Sequence, residues 1–259
     1  MDPATIIGVV IAFVAIFLAN YLEGGAPLAM FLLPPMILVF GGTFGVAMAS
    51  GLMKDTIGAL KDLVKTFTAK VPAPDASVAQ LVELAEQARR NGLLALEEQA
   101  RSVEDPFLKQ GVEMLVDGTE PNELRDILEA KVDAKRATDR AHAKLFADMG
   151  GYAPTIGIIG TVLSLVHVLE NLDKPELLGH AIGGAFIATL WGVLSANVLW
   201  LPFASKLKRM SELEAQAMEL TIEGLMSIQA GSNPRVIEQK LKAFLPADTA
   251  APVPDEKAA

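Results

Sequence analysis

MGGYAPTIGIIGTVLSLVHVL, residues 149–169, is the stretch that decides the fold class, because it lacks Asp, Glu, Lys and Arg throughout. Residues 3–22, 24–53 and 177–205 share this property. A helix rises about 1.5 Å per residue, so each of the four stretches can cross roughly 30 Å of hydrocarbon. The sequence therefore predicts an all-α integral membrane protein with four transmembrane helices.

The composition supports a membrane protein and argues against several other classes. Of the 259 residues 51% are hydrophobic and 20% are charged, and the mean hydropathy is +0.37, which is high for a soluble protein. Cysteine is absent and only three histidines occur, which leaves little material for a metal site. The net charge of -9 lies outside the apolar stretches, so we expect no binding to nucleic acid. The sequence contains no phosphate loop, dinucleotide fingerprint or nucleophile elbow, and we do not expect an enzyme or a cofactor.

Breaks in helical periodicity divide the remainder of the chain. The second apolar stretch is predicted to become helical near Pro34, after an irregular beginning. Beyond it, VPAPD (71–75) and NG (91–92) interrupt the pattern, and Ser77 is predicted to cap the helix between them. Further helices are predicted from Asp105 to Val116, from Pro121 directly into the third span, and after Asn233-Pro234.

These breaks predict five regions. They are transmembrane helices 1 and 2 (1–53), a cytoplasmic helical insert (54–148), transmembrane helices 3 and 4 (149–205), cytoplasmic C-terminal helices (206–245) and a disordered tail (246–259).

The distribution of Lys and Arg predicts the orientation in the membrane. The link between the first two spans has neither residue, and the link between the third and fourth spans has only Lys174. The other basic residues flank the opposite ends of the spans. Because positive charge accumulates on the cytoplasmic side, both termini and the insert are predicted to be cytoplasmic.

The third and fourth spans carry small and hydroxylated residues at helical spacing. Residues 157, 160, 161 and 164 share one face, and residues 185, 188, 189 and 192 share another. These faces are compatible with a polar seam for ions or with ordinary helix packing. Pro154 and Pro202 each leave a backbone carbonyl without its usual partner, which suits either a hinge or a helix boundary. With no acidic or basic residue in any span, the chain itself lacks a carboxylate that can carry protons.

Several segments resemble one family of membrane proteins. APTIGIIGTV (153–162), AFIATLWG (185–192) and LPFASKLK (201–208) are similar to the third and fourth spans of the MotA/PomA family, stator subunits of the bacterial flagellar motor. The resemblance extends to RRNGLLALEE (89–98), IEG (222–224) and NPRVIEQKL (233–241), and it covers nearly the whole chain except the tail.

The resemblance implies a homopentamer in the bacterial inner membrane, surrounding two copies of a single-span, peptidoglycan-anchored MotB partner that supplies the ion-binding aspartate. It implies that the insert contacts the rotor protein FliG, and that ion flow drives rotation. The implied rotor-binding residues are Arg89, Arg90, Glu97 and Glu98. The implied ion-pathway residues are Pro154, Thr161, Thr189 and Pro202.

The permeant ion and the type of motor each leave an alternative. Thr161 and Thr189 are compatible with sodium, which needs several oxygen ligands, but we favour protons because the rest of the sequence resembles proton-driven members. The main alternative is a motor subunit of the ExbB/TolQ type, which typically has three spans. A self-contained transporter is disfavoured because no intramembrane charge or inverted repeat occurs, and a membrane enzyme lacks an acid, base or metal constellation.

Overall fold

The computed structural model describes residues 3–68 and 74–245, and every regular element in these ranges is helical. The predicted all-α fold class is confirmed. By contact the chain separates into two compact units, one made of Met1–Lys70 and Thr138–Ser211 and the other of Val71–Ala137 and Glu212–Ala259. The predicted tail, residues 246–259, lies outside the described residues.

The elements follow one another in a simple order. They are α1 (Ala4–Leu22), a 3-10 turn (Pro27–Met30), α2 (Leu33–Ala49), α3 (Met53–Thr68), α4 (Pro74–Asn91), a 3-10 turn (Leu93–Ala95), α5 (Leu96–Ala100), α6 (Pro106–Val116), α7 (Pro121–Glu170), α8 (Pro175–Ser195), α9 (Leu201–Gln229) and α10 (Pro234–Ala243). A π-helical turn, Ala196–Trp200, joins α8 to α9 without a break, and another, Ile37–Gly41, lies within α2.

Three of the described helices are long and apolar enough to cross a membrane, namely Ala4–Leu22, Pro121–Glu170 and Leu178–Gln229. The second predicted span forms the shorter apolar helix α2, which begins at Leu33 as the prolines predicted. A 3-10 turn at Pro27–Met30 replaces the helix before it. A total of four spans therefore stays a prediction.

In the first unit, helices contact one another through small residues and aromatic rings. Phe146, Met149 and Phe203 are buried together with Ala143 and Ala204. A second cluster contains Val39, Trp191 and Leu194. Helix α1 has an apolar, exposed surface and no buried residue, as expected of a helix that faces lipid or another subunit.

The second unit has the core of a water-soluble helical protein. Its buried residues are aliphatic and come from α4 to α7, α9 and α10, with Leu81, Leu128, Leu225 and Leu241 all fully buried. Burial of such side chains stabilises a fold by about 1.5–3 kcal/mol each relative to exposure. This cluster holds the segment that contains Arg89 to Glu98.

Local signals predicted most helix ends in this unit correctly. The side chain of Asp105 accepts a hydrogen bond from the amide of Phe107 at 3.0 Å and caps α6, and Asn233 caps α10 through the amide of Arg235 at 3.1 Å. The prediction that Ser77 caps α4 is wrong. The helix begins three residues earlier, at Pro74, because proline suits a first helical turn, where its missing amide costs no hydrogen bond.

Candidate functional site

Thr161 and Thr189 are the centre of the candidate ion pathway. Thr161 lies on α7 and Thr189 on α8, and their hydroxyl oxygens are 2.5 Å apart. Thr161 Oγ1 also lies 3.2 Å from the carbonyl oxygen of Ala185 and 3.2 Å from that of Gly157. The two polar faces marked by the sequence therefore meet, and each hydroxyl has a protein partner. Their role in ion transport stays a prediction.

Pro154 and Pro202 lie inside continuous helical structure. Pro154 is in the middle of α7, and Pro202 is the second residue of α9, directly after the π-helical turn Ala196–Trp200. The helix-boundary interpretation of these prolines is therefore wrong. A wide turn before a proline adjusts the backbone to the missing amide, and such turns are frequent at functional sites.

A cavity of about 440 Å³ has Gly160 and Ala188, the sequence neighbours of Thr161 and Thr189, in its lining, and the sequence did not predict it. Helices α2, α7 and α8 line it. Ser164, His167 and His180 are its polar members, while Pro34 and Leu38 contribute apolar walls. The cavity brings the two histidines to one place, although 13 residues separate them in sequence. No group of three or more His, Asp or Glu side chains that could hold a metal ion occurs within residues 3–68 and 74–245.

Trp191 links α8 to the segment before α2. Its indole N–H donates a buried hydrogen bond of 2.7 Å to the carbonyl of Met30. The ring centroid lies 5.3 Å from that of Phe31, 5.7 Å from that of Phe40 and 6.4 Å from that of Phe13. Sequence patterns did not single out Trp191, because its partner is distant in the chain.

The four predicted rotor-binding residues flank an exposed turn in the second unit. Gly92 has φ of 82°, a conformation that favours glycine, and it ends α4 just after Arg89 and Arg90. Glu97 and Glu98 follow in the first turn of α5. The turn is held to the core by Leu96, which is fully buried. The turn therefore has two basic residues on one side and two acidic residues on the other.

Two of the charges at this turn form ion pairs that are largely exposed. Arg90 pairs with Glu86 at 3.1 Å within α4, and Glu97 pairs at 3.3 Å with Arg101, the residue that follows α5. The side chain of Arg90 is 75% exposed and that of Glu97 is 65% exposed. Exposed pairs of this kind contribute about 0–1 kcal/mol, so exchange for partners on another protein costs little.

A less exposed ion-pair network lies elsewhere in the second unit. Glu223 on α9 contacts Lys240 of α10 and, at 3.4 Å, Arg125 of α7. The hydrogen bond with Lys240 is the main cause that lowers the pKa of Glu223 below its ordinary value of 4.5, with Arg125 adding to it and burial opposing it. This network joins three helices and was not identified from the sequence.

Comparison with known proteins agrees with this architecture. Residues 99–220 match the MotA/TolQ/ExbB proton channel family. Motility protein A of Bacillus subtilis is 39% identical over 95% of this chain and 92% of its own length, and chemotaxis protein PomA of Vibrio alginolyticus is 34% identical over 95% and 96%. The chain belongs to the MotA/TolQ/ExbB proton channel family, as a MotA/PomA stator subunit of the bacterial flagellar motor.

Solved stator complexes have the same fold as this chain. The structure of C. jejuni MotAB superposes with a TM-score of 0.91 at 35% identity, covering 96% of this chain and 97% of that chain. The flagellar MotAB stator complex from Bacillus subtilis gives a TM-score of 0.86 at 38% identity, covering 95% and 97%.

Proposed function

We propose that this stator subunit conducts protons along the seam of Thr161 and Thr189, in the bacterial cytoplasmic membrane, together with a MotB-type partner that supplies the ion-binding aspartate. The observation that carries the proposal is the contact between the two hydroxyls, between helix segments that contain no acidic residue. A seam of this kind orients water and protons but needs a carboxylate from elsewhere. The partner is proposed because the matched structures are MotAB complexes.

The hydrogen bonds of the seam favour a proton over a sodium ion. Thr161 and Thr189 are paired with each other, and the carbonyl of Ala185 lies within hydrogen-bond distance of Thr161. A sodium ion would have to displace these contacts to obtain oxygen ligands, whereas a proton needs only the carboxylate and ordered water. Sodium is the second candidate, since these three oxygens are of the kind that bind a sodium ion.

Rotation speed in a host without its own stator tests the ion. The chain and its cognate partner are expressed together, and speed is followed while sodium is varied and while a protonophore is added. Speed that ignores sodium and collapses with the proton gradient is expected. Speed that follows sodium and survives the protonophore would reassign the pathway to sodium.

Thr161→Val tests the seam itself, because valine keeps the shape of threonine and removes its hydroxyl. Ion flux and rotation are expected to fall about tenfold, since a pathway oxygen is lost at the point of closest approach. Thr155→Val is the matched control. The hydroxyl of Thr155 is exposed and donates a hydrogen bond of 2.8 Å to the carbonyl of Tyr152 within its own helix. Equal losses for both variants would contradict a role for the pair.

We propose that the surface of Arg89, Arg90, Glu97 and Glu98 contacts the rotor protein FliG. The support is its exposure, its opposite charges and the rigid attachment of its turn through Leu96. Such a surface suits a contact that forms and breaks repeatedly, because charge complementarity sets the register and speeds encounter. Reversal of Arg90 to Glu is expected to stop rotation, and a compensating reversal on the rotor is expected to restore it.

We propose a homopentamer around two partner chains, with both termini and the insert in the cytoplasm. The exposed apolar surfaces of α1 and of the membrane part of α7 support contact with lipid and with other subunits. The chain lacks cysteine, so single introduced cysteines report contacts without background. Crosslinks from α7 to the partner are expected, and crosslinks from α1 alone would contradict the arrangement. An ExbB/TolQ-type role is disfavoured, since the full-length matches include motility protein A and PomA.

A further inference from the structure

Helices α7 and α8 approach each other through bare backbone at Gly157 and Gly192. A Cβ atom on Gly157 would lie 2.8 Å from the carbonyl oxygen of Ala188, and one on Gly192 would lie 2.7 Å from the carbonyl oxygen of Ala153. The Cα of Gly157 would also be only 3.0 Å from the Cβ on Gly192. These neighbours are backbone atoms, so no side-chain rotation relieves the overlap. A methyl group at either position must move the helices apart.

The glycine contact lies directly beside the hydroxyl pair. Gly157 precedes Thr161 by one helical turn, and its carbonyl is 3.2 Å from the hydroxyl of Thr161. Gly192 follows Thr189 by three residues, on the same face of α8. Because a helix is stiff over one turn, the separation at the glycines sets the separation of the two hydroxyls.

We propose that Gly157 and Gly192 are positioning residues that hold Thr161 and Thr189 at direct hydrogen-bond distance and thereby select protons over larger cations. The inference rests on the proposed function of the seam. With the hydroxyls in contact, no space remains between them for an ion with its own oxygen ligands. When the helices separate, the hydroxyls no longer bond directly, water enters, and the seam admits sodium more readily.

The expected result of Gly157→Ala or Gly192→Ala is a loss of proton flux with a change in selectivity. The two helices must separate by several tenths of an ångström before the added methyl group lies at an ordinary contact distance of 3.4 Å from the opposite backbone. Errors of this size in a functional geometry reduce rates by about tenfold or more. The ratio of sodium to proton flux is expected to rise in the same variants, which a general loss of folded protein would not produce.

Gly160 offers a matched test in which the obstructing atoms belong to side chains. A Cβ on Gly160 would lie 2.7 Å from the Cβ of Ala188 and 2.9 Å from Cδ2 of Leu38. Ala188→Gly removes the first obstruction, and Leu38 can rotate. The double variant G160A/A188G is therefore expected to recover the proton flux that G160A loses. The same Ala188→Gly change is expected not to rescue G157A, because the carbonyl oxygen of residue 188 remains in place.

Gly183→Ala and Gly184→Ala are controls on α8. Among the residues that the structure describes, a Cβ on Gly183 would have no neighbour within 4 Å, and one on Gly184 would meet only the hydroxyl oxygen of Ser164 at 3.7 Å. Both variants are expected to keep the flux and selectivity of the unmodified protein. Ala188→Gly alone is measured as well, since glycine within a helix costs about 1 kcal/mol.

The experiment measures proton and sodium flux in proteoliposomes that contain the complete complex with its MotB-type partner. The yield of purified complex reports folding and assembly for every variant. The inference is overturned if the unmodified complex conducts protons and the assembled G157A and G192A variants keep the same flux and selectivity. In that case the proposed function stands. Absence of any flux in the unmodified complex would instead remove the proposed function. If the two glycine variants fail to assemble, the ratio of sodium to proton flux in G160A decides, because a Cβ at that position also separates α7 from α8 at Ala188. A ratio that rises in G160A and falls again in G160A/A188G supports the inference, and a ratio that is unchanged in G160A overturns it.

Discussion

The two compact units use different means to hold their helices together. In the second unit, fully buried leucines such as Leu81 and Leu225 fill the space between helices, and ion pairs lie at the surface. In the first unit, α7 and α8 touch through glycine backbone, and hydroxyls and an indole N–H make the specific contacts. Within a bilayer, lipid is as apolar as leucine, so close approach and hydrogen bonds supply the specificity that hydrophobic burial supplies in water.

The largest effect on stability is expected from the core of the second unit. Leu225→Ala removes a fully buried side chain that packs against Gly111, where an added Cβ would lie 2.2 Å from Cδ1 of Leu225. The free energy of unfolding is expected to fall by about 2–5 kcal/mol because a cavity remains. Thermal unfolding of the solubilised protein with limited proteolysis of the second unit measures it. Val236→Ala, at a side chain that is 54% exposed, is the control and is expected to change stability by about 0.5 kcal/mol or less.

A smaller loss is expected from the main hydrogen bond between α8 and the segment before α2. Trp191→Phe keeps an aromatic ring but leaves the buried carbonyl of Met30 without its donor, which costs about 1–3 kcal/mol. Trp200→Phe is a matched control, since the buried indole nitrogen of Trp200 has no hydrogen-bond partner among the described residues. That change is expected to be neutral or stabilising in the same thermal assay. Equal losses would show that ring volume, and not the hydrogen bond, holds this contact.

Glu223→Gln is expected to destabilise the second unit by about 1 kcal/mol at neutral pH, because the ion pairs with Lys240 and Arg125 lose their carboxylate. The pKa of Glu223 is lowered in the folded protein, so its contribution is complete above the ordinary value of 4.5 and is lost as the pH falls through the folded pKa. The difference in unfolding free energy between the unmodified protein and Glu223→Gln should therefore disappear below about pH 4.5.

Unfolding of the second unit at a series of pH values measures this difference in unfolding free energy. Glu238→Gln, which breaks an exposed pair with Lys242 within α10, is the control and should have a smaller effect at neutral pH. A difference in unfolding free energy that stays constant down to pH 3 would contradict the stabilising role of the Glu223 carboxylate.

The smallest effect on stability is expected at the charged turn. Arg90→Ala breaks only an exposed pair with Glu86, so unfolding should change by about 0.5 kcal/mol or less. Rotation is nevertheless expected to slow, because the same charge is proposed to contact the rotor. Lys242→Ala breaks a comparable exposed pair away from the turn, and cells that carry it are expected to rotate normally. Slowed rotation in both variants would argue against a specific rotor surface.

Local chemistry explains which structural features were predictable. Gly92, Asp105 and Asn233 end or cap helices through contacts with neighbouring residues, so their effects are visible in short stretches of sequence. The polar faces of α7 and α8 were also visible, since helical periodicity aligns residues three and four apart. Pro154 and Pro202 were ambiguous, because a proline is compatible with a boundary or a continuous helix until neighbouring helices support it.

The sequence by itself determined that the chain is helical and where its long apolar helices lie, and it predicted which residues contact ions and a charged partner. Periodicity, charge and helix capping act over a few residues, and they are sufficient for these conclusions. Only the tertiary structure decided that the hydroxyls of Thr161 and Thr189 touch, that Trp191 binds Met30, and that Glu223 joins three helices. These contacts join residues far apart in the chain, and they depend on how closely two backbones approach, which no local pattern specifies.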